Sequence, residues 1–375
     1  MDFGLTEEQR LLRDTARRIA EAEFAETAFT WEGSFPHENV EVLAEQGLLG
    51  IALPEEYGGG GYSVVEVLLA TEAVGRICPD TAHVLSRSSM GTPRAIASLG
   101  SDYLRERYLP GVCAGDTVMT IAISEEGAGS DAAAMQTTAT YDDDEIVING
   151  HKMWVTKAHV ADAILVYAKF DGVVGAVVVD TDTPGLTIEA EDYVNMYGSH
   201  QAVLRFDKCR VPVEHELAVG KDALKRLLTE FNVERCHNAM MCIACGLNAF
   251  DKAMDHAKSR EQFDQPIADF QGIEWKFADM ATKLDAARLL IYRAAANAVA
   301  DEPSRLETSM AKVFANEIGQ EVIDEALQIH GATGYMRGHP LEYLYRIVRG
   351  WKIAGGTVEI QRNGIARQLK KYGFE

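Results

Sequence analysis

Cysteine and proline are scarce in this chain, 6 and 10 among 375 residues, and basic residues are outnumbered, 36 Lys and Arg against 57 Asp and Glu. So few thiols make no disulfide framework, which leaves stability to a hydrophobic core and points to a reducing cytoplasm. The formal charge of −21 sets the chain against polyanions, with no basic stripe to serve nucleic acid or an anionic membrane. No apolar run reaches the roughly eighteen residues that cross a bilayer, and the opening MDFGLTEEQR lacks a charged-then-apolar secretion signal. Cys242 and Cys245 are spaced C-x-x-C inside an apolar run, without a second Cys or His pair at metal-ligand spacing. Core packing is the expectation there, and no metal site.

What the chain does have is length and a 47% hydrophobic content, enough to bury about three quarters of its unfolded surface and to enclose a deep site. Its texture falls into three parts, an α+β multidomain protein. Residues 1–115 read as an N-terminal helical domain, with capping boxes at Thr6–Gln9 and Ser63–Glu66, each opening a 3.6-residue apolar pattern. Between them the glycine run 58–61 could pass for a phosphate loop but lacks the G-x-G-x-x-G register, so a flexible turn is favoured. Residues 116–216 carry short β-type runs at 118–124, 145–156, 163–169, 175–181, 186–190 and 201–206, broken by turn residues such as Gly150 and Gly172. That pattern predicts an antiparallel β domain, barrel or sandwich. Residues 217–375 return to long amphipathic runs near 222–259, 270–300, 304–331 and 357–371, with turns at Gln265-Pro266, Glu302-Pro303 and His339-Pro340. They predict a four-helix bundle.

The most distinctive β segment is Ile121 to Asp131, IAISEEGAGSD, followed by Gly150 to Thr156, GHKMWVT. Gly127, Ala128 and Gly129 permit close backbone approach to a ligand, Ser124, Ser130 and Thr156 offer short hydroxyls, and Trp154 is a flat aromatic. Together they suit a flavin. Read alone, the glycines are also a plain loop and Trp154 a core aromatic.

The order of segments resembles the acyl-CoA dehydrogenase family over nearly the full chain. Pro54 to Gly61 looks like PEEYGGxG, and Tyr108 to Pro110 with Gly115 like YLPxLxxG. Ser124 to Asp131 is similar to TEPxAGSD, with Glu126 where proline is usual, and Asn149 to Thr156 to NGxKxWIT. Arg260, Phe263, Pro266, Ile267, Phe270 and Gln271 keep the spacing RxxFGxPIxxFQ, with Asp264 in place of glycine. Gln328 to Tyr335 and Gly356 to Arg362 match the last two blocks.

The resemblance implies an FAD enzyme with this three-part layout, a homotetramer or homodimer. It implies that Ile121, Ala122, Ile123, Ser124, Gly129, Ser130, Trp154, Val155 and Thr156 line the flavin ring. Arg260, Phe263, Gln271, Gln328, Ile329, Gly331, Ala332, Thr357 and Glu359 would serve its pyrophosphate and adenine side. Ser130, Asn232 and Arg235 would touch the acyl carrier's pantetheine or nucleotide end. The family's reaction removes a proton beside a thioester carbonyl while hydride leaves the next carbon for the flavin. An oxyanion-type clamp and a desolvated carboxylate base are therefore needed.

Many relatives carry that base as the Glu of Tyr-Glu-Gly-Thr, whereas this chain reads Ala354-Gly355-Gly356-Thr357. The backbone N–H at Gly355, with Gly356 beside it, can still clamp the thioester. Asn232-Val-Glu-Arg235 resembles the ERxxxA segment of isovaleryl-CoA dehydrogenase, whose Glu is the base, which makes Glu234 the candidate here. An exposed, locally paired Glu is the plain alternative, and Glu359, Asp131 and Glu125 are the other carboxylates to weigh. Loss of side-chain volume at 354 and 355 predicts a wider cavity for a branched, cyclic or polar acyl group. Acyl-CoA is the expected substrate and an electron-transferring flavoprotein the expected acceptor. Three alternatives stay open: an acyl group on a carrier protein, docked by Lys221, Lys225 and Arg226; an oxygen-using flavoenzyme; and a binding protein without turnover.

Overall fold

The computed structural model describes residues 4–31, 34–196, 199–299 and 302–373. In chain order the helices are α1 (Glu7–Ile19), α2 (His37–Glu45), α3 (Val64–Gly75), α4 (Pro79–Ser89), α5 (Thr92–Leu99) and α6 (Asp102–Ala114). The strands follow: β1 (Met119–Ala122), β2 (Thr138–Asp142), β3 (Glu145–Thr156), β4 (Ala163–Phe170), β5 (Val173–Asp180), β6 (Leu186–Met196), β7 (Ser199–Pro212) and β8 (Glu216–Ala218). Then come α7 (Ala223–Ser259), α8 (Gln271–Ala296), α9 (Arg305–His330), α10 (Pro340–Trp351) and α11 (Val358–Tyr372). Helices, then strands, then helices is the expected order. By contact, two compact units form, one of Glu32–Ser63 and Val84–Phe231, the other of Met1–Trp31, Val64–His83 and Asn232–Glu375.

In the first unit the strands make one sheet in the order β6-β7-β3-β2-β4-β5-β8, with β1 added on β4. Most pairs are antiparallel, as the turn-punctuated runs predict, but β1–β4 and β2–β4 are parallel. β4 is apolar except for Lys169 because both its faces are covered. Leu165 and Tyr167 join a core with Ile96 of α5 and Leu104 of α6, while Ile164 and Val166 join a second core with Ile148 and Leu204. The glycine run is a turn stitched to its own unit: Gly59, Gly60 and Gly61 donate their N–H groups to the carbonyls of Pro54, Gly50 and Leu53. Those donors are spent, so the phosphate-loop alternative falls.

In the second unit α1 opens with the capping box read from the sequence, Gln9 N–H on Thr6 Oγ1 at 3.1 Å and the reciprocal bond at 3.0 Å. α3 begins directly after Ser63. The four long C-terminal runs are helices, and a fifth helix, α10, begins where His339-Pro340 predicts only a turn. Pro340 sits at the start of α10, where its missing N–H costs nothing, and His339 caps it by accepting from Leu341 N–H. α9 comes close to α7 at Gly319, where a Cβ would lie 2.8 Å from the Cys242 carbonyl oxygen. Only glycine allows that approach without displacement. Cys242 and Cys245 are fully buried, as expected of core residues, and among the described residues no group of His, Cys, Asp and Glu could hold a metal ion. Among the described residues no helix is long and apolar enough to cross a membrane.

Candidate active site

In the first unit the loop from Ile121 to Asp131 is braced from behind by charge. Lys152, fully buried, donates to the Ile123 carbonyl at 2.9 Å and to Glu125 at 2.8 Å. The Glu125 carboxylate also takes the N–H groups of Gln136 and Thr137, at 2.6 and 3.0 Å. Burial alone would raise the Glu125 pKa, but these donors outweigh it and hold it at about 2. A carboxylate so committed is no base, and Glu125 leaves the candidate set. Sequence reading missed this pair; the signal was a lysine at an inward position of a strand.

Strand β3 slips register against β7 between Lys152 and Val155. The bulge carries Trp154 at φ +57, an uncommon conformation for a bulky residue, and leaves its indole 44% exposed. Met153 N–H reaches the Ser124 carbonyl at 2.9 Å, tying the bulge to the loop. Thr156 Oγ1 donates to Gln201 Oε1 at 3.0 Å. Gln201 Nε2 is buried with no hydrogen-bond partner among the described residues, an unmet donor of the kind that a buried site keeps for a ligand acceptor. An exposed flat aromatic, a short loop with open space at Gly127 and Gly129, and a waiting amide fit a planar ring bearing carbonyls. Ala122 and Val155 turn their side chains into the core, so only their main chain can serve a ligand, while Ser130, Gly129 and Asp131 are exposed.

In the second unit Glu234 lies on α7, half-buried, with its Oε1 atom buried. That oxygen is withdrawn from bulk water. Gly355 and Gly356 have φ of +66 and +85, the left-handed region glycine favours. The turn's carbonyls are drawn inward: Asn238 Nδ2 donates to Trp351 O and Ala354 O at 3.4 and 3.3 Å, and Lys312 Nζ to Trp351 O and Gly356 O at 3.3 and 2.9 Å. Gln361 Nε2 donates to the Gly355 and Gly356 carbonyls at 3.3 and 3.2 Å. The N–H groups of Gly355 and Gly356 meet no acceptor among the described residues. They are the free donors that an oxyanion clamp needs. Sequence reasoning missed Asn238, Lys312 and Gln361; the available signal was polar residues on otherwise apolar helix faces.

Other expected residues divide by exposure. Arg260, Phe263, Gln271, Gln328, Gly331, Ala332 and Glu359 are exposed, Phe263 at 88%. Ile329 is buried, so its side chain belongs to the core. Thr357 caps α11 by accepting from Ile360 N–H at 3.3 Å. The Glu359 carboxylate is held below the usual range, first by its own backbone N–H and then by Thr357. That makes it part of the helix start and a poor base. Asn232 and Arg235 are each under a tenth exposed, and the guanidinium donates to the Asn232 side chain. Burial, then Arg305, pushes the Arg235 pKa down to about 10.

Comparison with known proteins covers nearly the whole chain. Residues 6–116, 120–209 and 224–370 match the N-terminal, middle and C-terminal domains of acyl-CoA dehydrogenase. A 3-sulfinopropanoyl-CoA desulfinase of Paraburkholderia xenovorans (strain LB400) is 38% identical over 98% of this chain and 97% of its own length. A probable acyl-CoA dehydrogenase of Bacillus subtilis (strain 168), YngJ, is 36% identical over 99% of this chain and 100% of its own. The butyryl-CoA dehydrogenase structure from Megasphaera elsdenii superposes with a TM-score of 0.93 at 29% identity, over 99% of this chain and 100% of that one. The chain belongs to the acyl-CoA dehydrogenase family, oxidoreductases that work on CH–CH bonds with FAD.

Proposed function

We propose that the protein oxidises an acyl-CoA between its α and β carbons, with Glu234 as the base. The observation that carries this assignment is the carboxylate inventory. Position 355 is glycine, Glu125 is locked to Lys152, Asp131 is exposed, Glu359 is exposed and held by Thr357 at the start of α11, and Glu234 keeps a buried oxygen on α7. The thioester carbonyl accepts from the Gly355 N–H, with Gly356 beside it, so the charge that develops on oxygen meets a fixed donor. Glu234 then removes the α proton. Bound FAD supplies the hydride acceptor. Trp154, Thr156, Ser124 and Gln201 hold its ring, and Arg260, Phe263, Gln271 and Gln328 its phosphate and adenine side, Gln201 being an addition to the residues read from sequence. Division of the chain near 116 and 217, a homotetramer, a cytoplasmic home and an electron-transferring flavoprotein as acceptor belong to the same reading.

The test is anaerobic addition of acyl-CoAs to the flavin-loaded protein, followed by loss of flavin absorbance. Straight, branched and cyclic acyl groups are compared, and 3-sulfinopropanoyl-CoA joins them because of the desulfinase relative. The small residues at 354 and 355, Ala and Gly, favour the branched, cyclic and polar members. Glu234→Gln should slow reduction by about 10²–10⁴-fold. A mutant that bleaches as fast as the parent removes Glu234 from the role. Rapid reoxidation by air would instead favour an oxygen-using enzyme, and a response confined to carrier-bound acyl groups would move the substrate class.

A further inference from the structure

We propose that Asn238 is a positioning residue for the thioester clamp, the middle of a hydrogen-bond relay that polarises the Gly355 N–H from behind. The inference rests on the clamp proposed above, and it assigns a role to residues outside that reading. The peptide that carries the Gly355 N–H is the one whose carbonyl is Ala354 O. Asn238 Nδ2 donates to that oxygen at 3.3 Å. Asn238 Oδ1 in turn accepts from Asn316 Nδ2 at 2.8 Å, and the same Asn316 nitrogen lies 2.7 Å from Cys242 Sγ. Donor and acceptor therefore alternate in one direction, from Asn316 through Asn238 to the Ala354 carbonyl and out through the Gly355 N–H.

Three physical points favour a role beyond packing. Asn316 is fully buried and Asn238 2% exposed, so each bond acts at low dielectric, where a chain of hydrogen bonds strengthens its members by about 10–30% each. Burying two side-chain amides under a turn costs free energy that an apolar pair would not. The relay also fixes which way the peptide faces: with its carbonyl captured inside, the N–H must point away from the Asn238 side. A Cβ on Gly355 would lie 3.7 Å from Asn238 Nδ2 and 3.8 Å from Lys312 Cε, so relay and lysine together form the floor beneath the position where relatives carry their base. In this chain the carboxylate is gone from that position and an amide lies beneath it.

The test uses the oxidised flavin-loaded protein with [1-¹³C]crotonyl-CoA, an enoyl thioester that cannot be dehydrogenated again to a simple product. Isotope-edited infrared spectra report the carbonyl directly. The parent should show the band at lower wavenumber than in water, and Asn238→Leu should lose about 10–30% of that displacement or more. Flavin content should be unchanged and the probe's Kd within about twofold. Flavin reduction by a saturated acyl-CoA should fall about tenfold, short of the roughly 10²–10³-fold loss from deleting a clamp donor outright. Should Asn238→Leu fail to fold, Asn316→Ala keeps Asn238 in place, removes only its orienting donor, and should give a smaller loss of the same sign. A full displacement in both variants overturns the relay. A parent band unshifted from water overturns both the clamp and the relay. Glu234→Gln retaining full flavin reduction, with the band still responding to Asn238→Leu, overturns the base and leaves the relay standing.

Discussion

The loop at 121–131 rests on opposite charges, Lys152 against Glu125, whereas the turn at 351–357 rests on two amides and a lysine that hydrogen-bonds only carbonyl oxygens. Both arrangements capture main-chain groups from the buried side. They differ in what is left when one member is removed. In the first, a lone carboxylate would remain in the core, taking bonds meant for a neutralised site. In the second, the Trp351 and Gly356 oxygens that Lys312 serves keep Asn238 and Gln361 as second donors. A charged brace is therefore rigid and brittle, and an amide brace is redundant.

The largest expected effect breaks the charged brace. Lys152→Met leaves Glu125 buried and uncompensated, a loss of about 3–5 kcal/mol, to be read from urea denaturation with flavin content as a second signal. Equal melts for mutant and parent would contradict the comparison. On the acid side the sign follows from the depressed Glu125 pKa. Its stabilisation is complete above the ordinary 4.5 and is lost as pH falls toward about 2.

A pH series sharpens the contrast at the other brace. Burial, with Cys242 and Glu359 pulling up and Arg235 pulling down, lowers the Lys312 pKa from 10.5 to about 8. Between those values the unfolded chain holds the proton and the folded one does not, so this group adds stability as pH rises, up to about 3 kcal/mol across the window. Lys312→Met should flatten that rise in thermal melts. Flavin reduction should weaken over the same window in the parent, because a neutral amine is a poorer donor to the Trp351 and Gly356 carbonyls. The smallest effect is Lys312→Met near pH 7, about 1 kcal/mol or less, since both carbonyls keep a donor. A loss as large as that of Lys152→Met would show that the turn depends on charge after all.

How far the sequence reached depends on how local each signal was. The capping box at Thr6, the amphipathic helices and the apolar strands were legible because their partners lie within a few residues. α10 was not, since a proline at the first turn of a helix reads the same as a proline in a loop. Glu234, Gly355 and Trp154 were legible only as candidates, from motif register, which records position in the family but not surroundings. That limit shows at Ala122, Val155 and Ile329, whose register matches flavin-facing blocks while their side chains pack inward.

By itself the sequence determined the order of helices and strands, the missing carboxylate at 355 and the acidic helix residue at 234, because each is a matter of residue type and near spacing. Only the tertiary structure decided that Glu125 is spent on Lys152, that Gln201 keeps an unmet amide, and that Asn238 and Asn316, 78 residues apart, meet beneath a glycine turn. Buried polar groups find partners by packing across long sequence separations, as where Gly319 lets α9 close on α7, and no local pattern encodes which donor reaches which carbonyl.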